Sequence, residues 1–129
     1  MKAVSGSHPE NQPAANWPLI ILVLVCTCIE AILVLADWGF FGPSRLRRLV
    51  YENAGYWPGL LQNWLPNYTG QPYLMFLTYG FLHSGPAHLI INMITLYSLG
   101  RAVLNRGGTS GFLLLYIAAL VGGAVGYGL

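Results

Sequence analysis

The sequence predicts an all-α, polytopic membrane protein, because it is too apolar and too poor in charge for a soluble domain. Hydrophobic residues make up 55% of the 129 residues and charged residues only 8%, and the mean hydropathy is +0.55. A soluble domain carries about 25% charged residues, so this chain could form an apolar core but could not cover it with a polar surface. Three apolar stretches also suit helices that cross a hydrocarbon layer of about 30 Å. The net charge of +2 and the lack of a basic run argue against a nucleic-acid-binding protein.

The first apolar stretch, residues 17–36, predicts a transmembrane helix. Its length matches the hydrocarbon thickness at about 1.5 Å per residue. Trp17 and Trp38 bracket it as interfacial aromatic residues do, and Pro18 suits the first helical turn. Glu30 lies inside it, and an intramembrane carboxylate is by default a functional candidate. Because the sequence shows no partner for Glu30, we expect it to be protonated and hydrogen-bonded to a neighbouring helix, or to lie near the membrane surface.

Cys26 and Cys28 also lie in the first stretch. On a helix they point about 200° apart, so they cannot form a disulfide with each other. A metal site would need more ligands close by. We interpret both cysteines as packing or lipid-facing residues, and the sequence predicts no metal site and no cofactor.

Polar segments lie on both sides of the first stretch. Residues 1–16 are rich in Ala, Pro, Ser and Asn and predict a disordered tail. Residues 37–86 form a long connection rich in aromatic residues, which predicts a loop at the membrane surface. An amphipathic helix is expected early in it, from apolar residues at i, i+3 and i+4: Leu46, Leu49 and Val50. A short helix is expected within residues 73–84.

The second and third spans are predicted at residues 87–103 and 111–129. Pro86 suits the first turn of the second span, and Gly107-Gly108 marks its end. The third span contains a pair of small residues four apart, which lets helix backbones approach closely: Gly122 and Gly126. Its many small residues predict neighbouring helices on more than one side, so we expect the chain to be a fragment of a larger bundle.

The second span carries an unusual polar pair, His88 and Asn92, one helical turn apart on the same face. Taken singly, an intramembrane Asn is most often a hydrogen-bonding contact between helices, and a His near a helix start is most often structural. Together they place an imidazole N–H and an amide N–H on one face. Two such hydrogen-bond donors can stabilise an oxyanion in a site from which water is excluded. The span itself supplies no matching nucleophile.

These residues are similar to the rhomboid family of intramembrane serine proteases. The family pattern is a His, four residues, a second His, three residues and an Asn, and His83, His88 and Asn92 match it. The stretch Tyr97 to Arg101 and the stretch Gly111 to Tyr116 add to the resemblance, which covers roughly residues 17–129.

The resemblance implies a bundle of six helices, of which this chain would contain the first three as a partial rhomboid membrane domain over residues 17–129. It implies a serine endopeptidase that cleaves transmembrane protein substrates in the lipid bilayer with a Ser–His dyad. His88 and Asn92 would bind the oxyanion, and His83 would support the loop above the site. The protein would be an integral, multi-pass protein of a plasma or inner membrane, with the tail 1–16 in the cytoplasm.

The sequence departs from the family pattern at the catalytic residues. Its one Gly-x-Ser-Gly, residues 108–111, follows the second span, whereas the resemblance places the catalytic serine at the start of a fourth helix, and the only further histidine is His8, in the tail. Leu74-Met75 stands where a Trp-Arg pair is common, and Leu104 where an acidic residue is common. We therefore expect this chain alone to be inactive, and we keep as an alternative a rhomboid-like protein that binds membrane segments without cleaving them.

Overall fold

The computed structural model describes residues 15–128, and this range is all-helical, as the sequence predicts. The predicted tail therefore lies outside the described residues, apart from its last two positions, and so does Leu129. Four α-helices and two short 3-10 helices follow in chain order: α1 (Trp17–Asp37), α2 (Leu46–Ala54), a 3-10 helix (Pro58–Leu61), α3 (Gln71–Thr78), a 3-10 helix (Tyr79–Phe81) and α4 (Pro86–Gly128).

Helix α1 coincides with the first apolar stretch to within one residue. Pro18 occupies its first turn, where the missing N–H removes no helical hydrogen bond. Trp17 and Trp38 flank the helix with exposed side chains. Cys26 is buried and Cys28 is exposed, and both are free thiols, which agrees with their opposite directions on the helix. Helix α1 is long and apolar enough to cross a membrane.

Helix α4 is the second helix that is long and apolar enough to cross a membrane. Its 43 residues would measure about 65 Å as a straight rod, twice the thickness of a hydrocarbon layer. Gly108 interrupts it with φ 65° and ψ −172°, a conformation that only glycine adopts readily. The break falls at the Gly107-Gly108 pair, where the sequence predicts the end of a span.

The two halves of α4, residues 86–107 and 109–128, fold back against each other at Gly108. Leu104 from the first half and Phe112 from the second meet in one buried cluster. His88 and Tyr127 line the same cavity, although a straight helix would separate them by about 58 Å. The expected second and third spans therefore lie in two antiparallel halves of one helical run.

The core lies where α1 meets the fold of α4. Leu19, Leu104 and Phe112 are almost completely buried against one another. Gly100 allows this approach, because a Cβ there would stand 2.8 Å from a methyl group of Leu19 and 3.1 Å from the ring of Phe112. Gly100 is thus the glycine that brings α1 and α4 together.

Gly122 and Gly126, the pair of small residues noted in the sequence, do not form a close helix contact of this kind. Apart from the adjacent residues and the nearby backbone of the same helix, no atom of the described residues lies within 4 Å of where a Cβ on Gly122 or Gly126 would stand. The second half of α4 instead docks through Gly80, where a Cβ would collide with the Leu120 side chain. The Tyr79 hydroxyl donates a 2.6 Å hydrogen bond to the Leu120 carbonyl at the same contact.

The long connection is an ordered unit that is held by buried polar side chains. Its amphipathic helix forms as α2, with Leu46 and Val50 lining an apolar groove beside α1. The buried Gln71 amide donates to the Glu52 carbonyl at 2.7 Å and accepts from the Asn67 N–H at 2.7 Å. These bonds fix α3 beside the end of α2, and so they fix the chain that leads into α4.

Candidate functional site

His83 and His88 come together at the start of α4. Their ring centroids lie 5.5 Å apart at an interplanar angle of 65°. Both side chains line a cavity of about 650 Å³ between α2, the 3-10 helix before α4 and the last turns of α4. The remaining lining residues are mostly aromatic or small: Tyr51, Gly55, Tyr56, Trp57, Tyr79, Leu82, Ser84, Gly123, Ala124 and Tyr127.

The hydrogen bonds of His88 determine which of its ring nitrogens carries the proton. The Ser84 backbone nitrogen lies 3.3 Å from His88 Nδ1, and the Ser84 hydroxyl oxygen lies 3.0 Å from the same atom. A backbone N–H can only donate, so Nδ1 must be the acceptor. The neutral His88 ring therefore carries its proton on Nε2, and the Ser84 hydroxyl donates to Nδ1 as well. This assignment leaves an Nε2–H donor on an exposed side chain.

Asn92 lies one turn further along α4 and is half-buried. It does not belong to the residues that line the cavity. The structure thus brings His83 and His88 together at one cavity, and it does not bring Asn92, on the following turn, into the lining of that cavity.

His83 is buried, with 4% of its surface exposed. Burial lowers the pKa of its imidazole, and the neighbouring His88 lowers it further. Its Nδ1 has no hydrogen-bond partner among the described residues. The backbone carbonyl of His83 accepts hydrogen bonds from the Tyr51 hydroxyl and from Arg47 Nη1, the latter at 3.3 Å. His83 therefore supports the cavity with its ring and anchors the chain before α4 with its backbone.

Glu30 is hydrogen-bonded to a neighbouring helix, as expected, but its partner there is a charged residue, Arg47, which the sequence pattern does not indicate. Arg47 Nη2 lies 3.0 Å from Glu30 Oε1, and Arg47 Nη1 lies 3.1 Å from Glu30 Oε2, so the guanidinium binds the carboxylate with both of its ends. Glu30 is 2% exposed, and Arg47 is 21% exposed. Since the two residues are 17 positions apart in sequence, only the packing of α2 on α1 brings them together.

Arg47 also binds a second carboxylate of α1. Its Nε donates to Asp37 Oδ2 at 2.6 Å, and its Nη1 lies 3.2 Å from the Tyr51 hydroxyl. The hydrogen bond with Glu30 is the main cause that raises the pKa of the guanidinium above its ordinary value. Arg47 therefore stays charged and connects α1, α2 and the chain before α4.

The sequence reasoning missed Arg47, Tyr51 and Ser84. A signal existed for each of them. For Arg47, the signal was the intramembrane carboxylate, which requires a cation or a proton. For Tyr51, it was the position one turn after Arg47 on the amphipathic helix. For Ser84, it was the position four residues before His88 at a helix start.

The cavity wall opposite the histidines is aromatic. The Tyr56 ring centroid lies 5.8 Å from that of Tyr79 and 6.2 Å from that of Tyr127. Most of the cavity lining is apolar, and a hydrogen bond is stronger in a medium of low polarity than in water. Within residues 15–128, no group of three or more His, Cys, Asp or Glu side chains could hold a metal ion.

The fold and the site define a helical protein in which two histidines at the start of an apolar helix face an aromatic cavity. Comparison with known families matches residues 70–129 to the Rhomboid domain. The match covers His83, His88 and Asn92 and supports the rhomboid family assignment that the resemblance predicts. Together with the two helices that are long and apolar enough to cross a membrane, the match indicates a rhomboid-like membrane protein. No curated protein and no solved structure matches the chain.

Proposed function

We propose that this chain is part of an intramembrane serine endopeptidase of the rhomboid type, which cleaves transmembrane protein substrates by acyl-enzyme chemistry. The observation that supports this most strongly is the hydrogen-bonding of His88. Its Nδ1 is occupied by Ser84, which leaves an Nε2–H donor at an aromatic cavity.

The proposed chemistry places a developing negative charge beside that donor. When a serine attacks a peptide carbonyl, the carbonyl oxygen becomes an oxyanion, and fixed N–H donors in a water-poor site stabilise it. In our proposal His88 supplies one such donor and Asn92 a second from the next turn. His83 supports the site from beneath and takes no part in the chemistry.

In our proposal the nucleophile and the base come from residues outside this sequence. Its one Gly-x-Ser-Gly, residues 108–111, lies at the break in α4, about 30 Å along the helix from His88. A neighbouring serine would attack the substrate carbonyl while a histidine accepts its proton. The last turns of α4 and the aromatic cavity would face those residues in the intact protein.

Membrane placement forms part of the proposal. Helix α1 would cross the bilayer once, and the fold of α4 at Gly108 would let its two halves cross in opposite directions. The cavity with His88 would then lie on the same side of the membrane as the connection between α1 and α3, which is the side where water and substrate reach it. The tail 1–16 would lie in the cytoplasm, on the other side.

The test is turnover of a transmembrane substrate by the full-length protein in proteoliposomes. His88→Ala and Asn92→Ala should each lower kcat by roughly 10²-fold, as expected for the loss of one oxyanion donor. Ser98→Ala, an exposed hydroxyl further along the same helix, is the matched control and should retain wild-type turnover.

Wild-type turnover by the His88→Ala/Asn92→Ala double variant would contradict the proposed roles. A wild-type protein that binds the substrate without cleaving it would support the alternative, a rhomboid-like protein that binds membrane segments.

A further inference from the structure

The peptide group between His83 and Ser84 is hydrogen-bonded at both of its ends. Its carbonyl oxygen accepts from Arg47 Nη1 at 3.3 Å and from the Tyr51 hydroxyl. Its N–H, on Ser84, donates to His88 Nδ1 at 3.3 Å. A trans peptide is planar and its C=O and N–H point in opposite directions, so fixing the carbonyl also fixes the N–H.

The carboxylates that hold Arg47 in place lie on α1. Arg47 is held there by Glu30 and Asp37, with donor–acceptor distances between 2.6 and 3.1 Å. Charge-assisted hydrogen bonds of this kind hold a planar guanidinium in one orientation. A cation on the carbonyl side also polarises the peptide group, which makes its N–H a stronger donor.

The Ser84 hydroxyl cannot perform this task alone. A hydroxyl can donate to a ring nitrogen or accept from it, so it is compatible with either form of neutral histidine. The Ser84 backbone N–H can only donate, so it excludes a proton on His88 Nδ1. The protonation pattern of His88 therefore depends on the orientation of the His83–Ser84 peptide.

We propose that Arg47 is a positioning residue which, through the His83–Ser84 peptide, holds His88 in the form that carries its proton on Nε2 and orients that N–H in the cavity. The inference rests on the proposed function in so far as the Nε2–H serves as the oxyanion donor. Arg47 does not touch the substrate. Without it the peptide can rotate, and His88 can then place its proton on Nδ1, where it cannot serve the site.

Arg47→Lys is the decisive variant, since lysine keeps the positive charge but cannot reach Glu30, Asp37 and the His83 carbonyl at once. Tyr51→Phe removes the second donor to the same carbonyl and keeps the ring. Arg48→Lys is the matched control, because Arg48 is the exposed neighbour on the same helix. All three are made in the full-length protein in lipid, and thermal unfolding shows at which temperature each is fully folded.

The first measurement does not depend on activity. Nitrogen-15 NMR of labelled histidine, at about pH 8 where imidazole is neutral, reports which ring nitrogen carries the proton. His88 should show only the Nε2–H form in the wild type and in Arg48→Lys. A clear population of the Nδ1–H form should appear in Arg47→Lys, and a smaller one in Tyr51→Phe.

The second measurement is turnover at a temperature at which every variant is folded. Arg47→Lys should lower kcat by roughly 10-fold with KM nearly unchanged, less than the loss of the donor itself, because the donor is misplaced rather than removed.

A purely structural role predicts lower thermal stability with an unchanged His88 proton position and an unchanged kcat, and that result would overturn the proposal. If His88 shifts its proton in Arg47→Lys but the wild type cleaves no substrate, the positioning role stands and the proposed protease function fails.

Discussion

Replacement of Glu30 by alanine tests the contact on which the site is built. Glu30→Ala removes one partner of the Glu30–Arg47 pair and leaves Asp37 as the carboxylate that still binds the guanidinium. Removal of one partner from a buried ion pair costs about 3–5 kcal/mol, because the other charge remains in a medium of low polarity. Glu30 itself is 2% exposed, but the charge left behind is on Arg47, which is 21% exposed. We therefore expect the lower end of that range, about 3 kcal/mol.

The assay is the free energy of unfolding in mixed micelles with increasing denaturing detergent. Glu52→Ala is the matched control, because Glu52 is an exposed carboxylate on α2, and its loss should change the free energy of unfolding by less than about 0.5 kcal/mol. The double variant Glu30→Leu/Arg47→Met should recover a large part of the loss, since an apolar pair of similar volume often replaces a buried ion pair without net cost. Equal stability of Glu30→Ala and Glu52→Ala would refute the reasoning.

Three further predictions concern the break in α4, its docking and the pH dependence of stability. Gly108→Ala should destabilise the protein by about 1–3 kcal/mol, because φ 65° with ψ −172° is open only to glycine; thermal unfolding beside Gly107→Ala measures the difference. Tyr79→Phe removes the hydrogen bond to the Leu120 carbonyl and should cost about 1 kcal/mol in the same unfolding assay. Burial lowers the pKa of His83 below its usual 6.5, so the unfolded chain binds more protons and stability should fall as the pH drops below about 6.5. A pH series with His83→Gln, which should flatten this dependence, checks that prediction; an unchanged slope would contradict it.

The helices could be predicted from sequence where local patterns determine them. The apolar run with Pro18 at its start predicts α1, and the spacing of Leu46, Leu49 and Val50 predicts α2. The Gly107-Gly108 pair predicts the break in α4, because glycine adopts a non-helical backbone with positive φ at a lower free-energy cost than any other residue type.

The polar contacts of the site could not be predicted, because they depend on how elements pack. Glu30 contacts Arg47 only because α2 packs on α1. Neither helix has a sequence pattern that indicates the other as its packing partner. The spacing of Ser84 and His88 is visible in the sequence, but the direction of their hydrogen bond follows from the backbone geometry of the helix start.

The packing roles of individual glycines also could not be predicted from the sequence. Gly122 and Gly126 match a known spacing for close helix contact, yet both face away from the described residues. Gly100 has no such motif and forms the close contact with Leu19. A spacing pattern shows that a close approach is possible, whereas the partner helix determines which glycine makes it.

The most direct test of the proposed function is mass spectrometry of a transmembrane substrate after incubation with the full-length protein in proteoliposomes. We predict two product peptides whose masses place the cut in or beside the membrane-spanning segment, with His88→Ala giving at most about one hundredth of the wild-type product. An intact substrate that co-purifies with the wild-type protein would contradict the protease account and identify a binding protein.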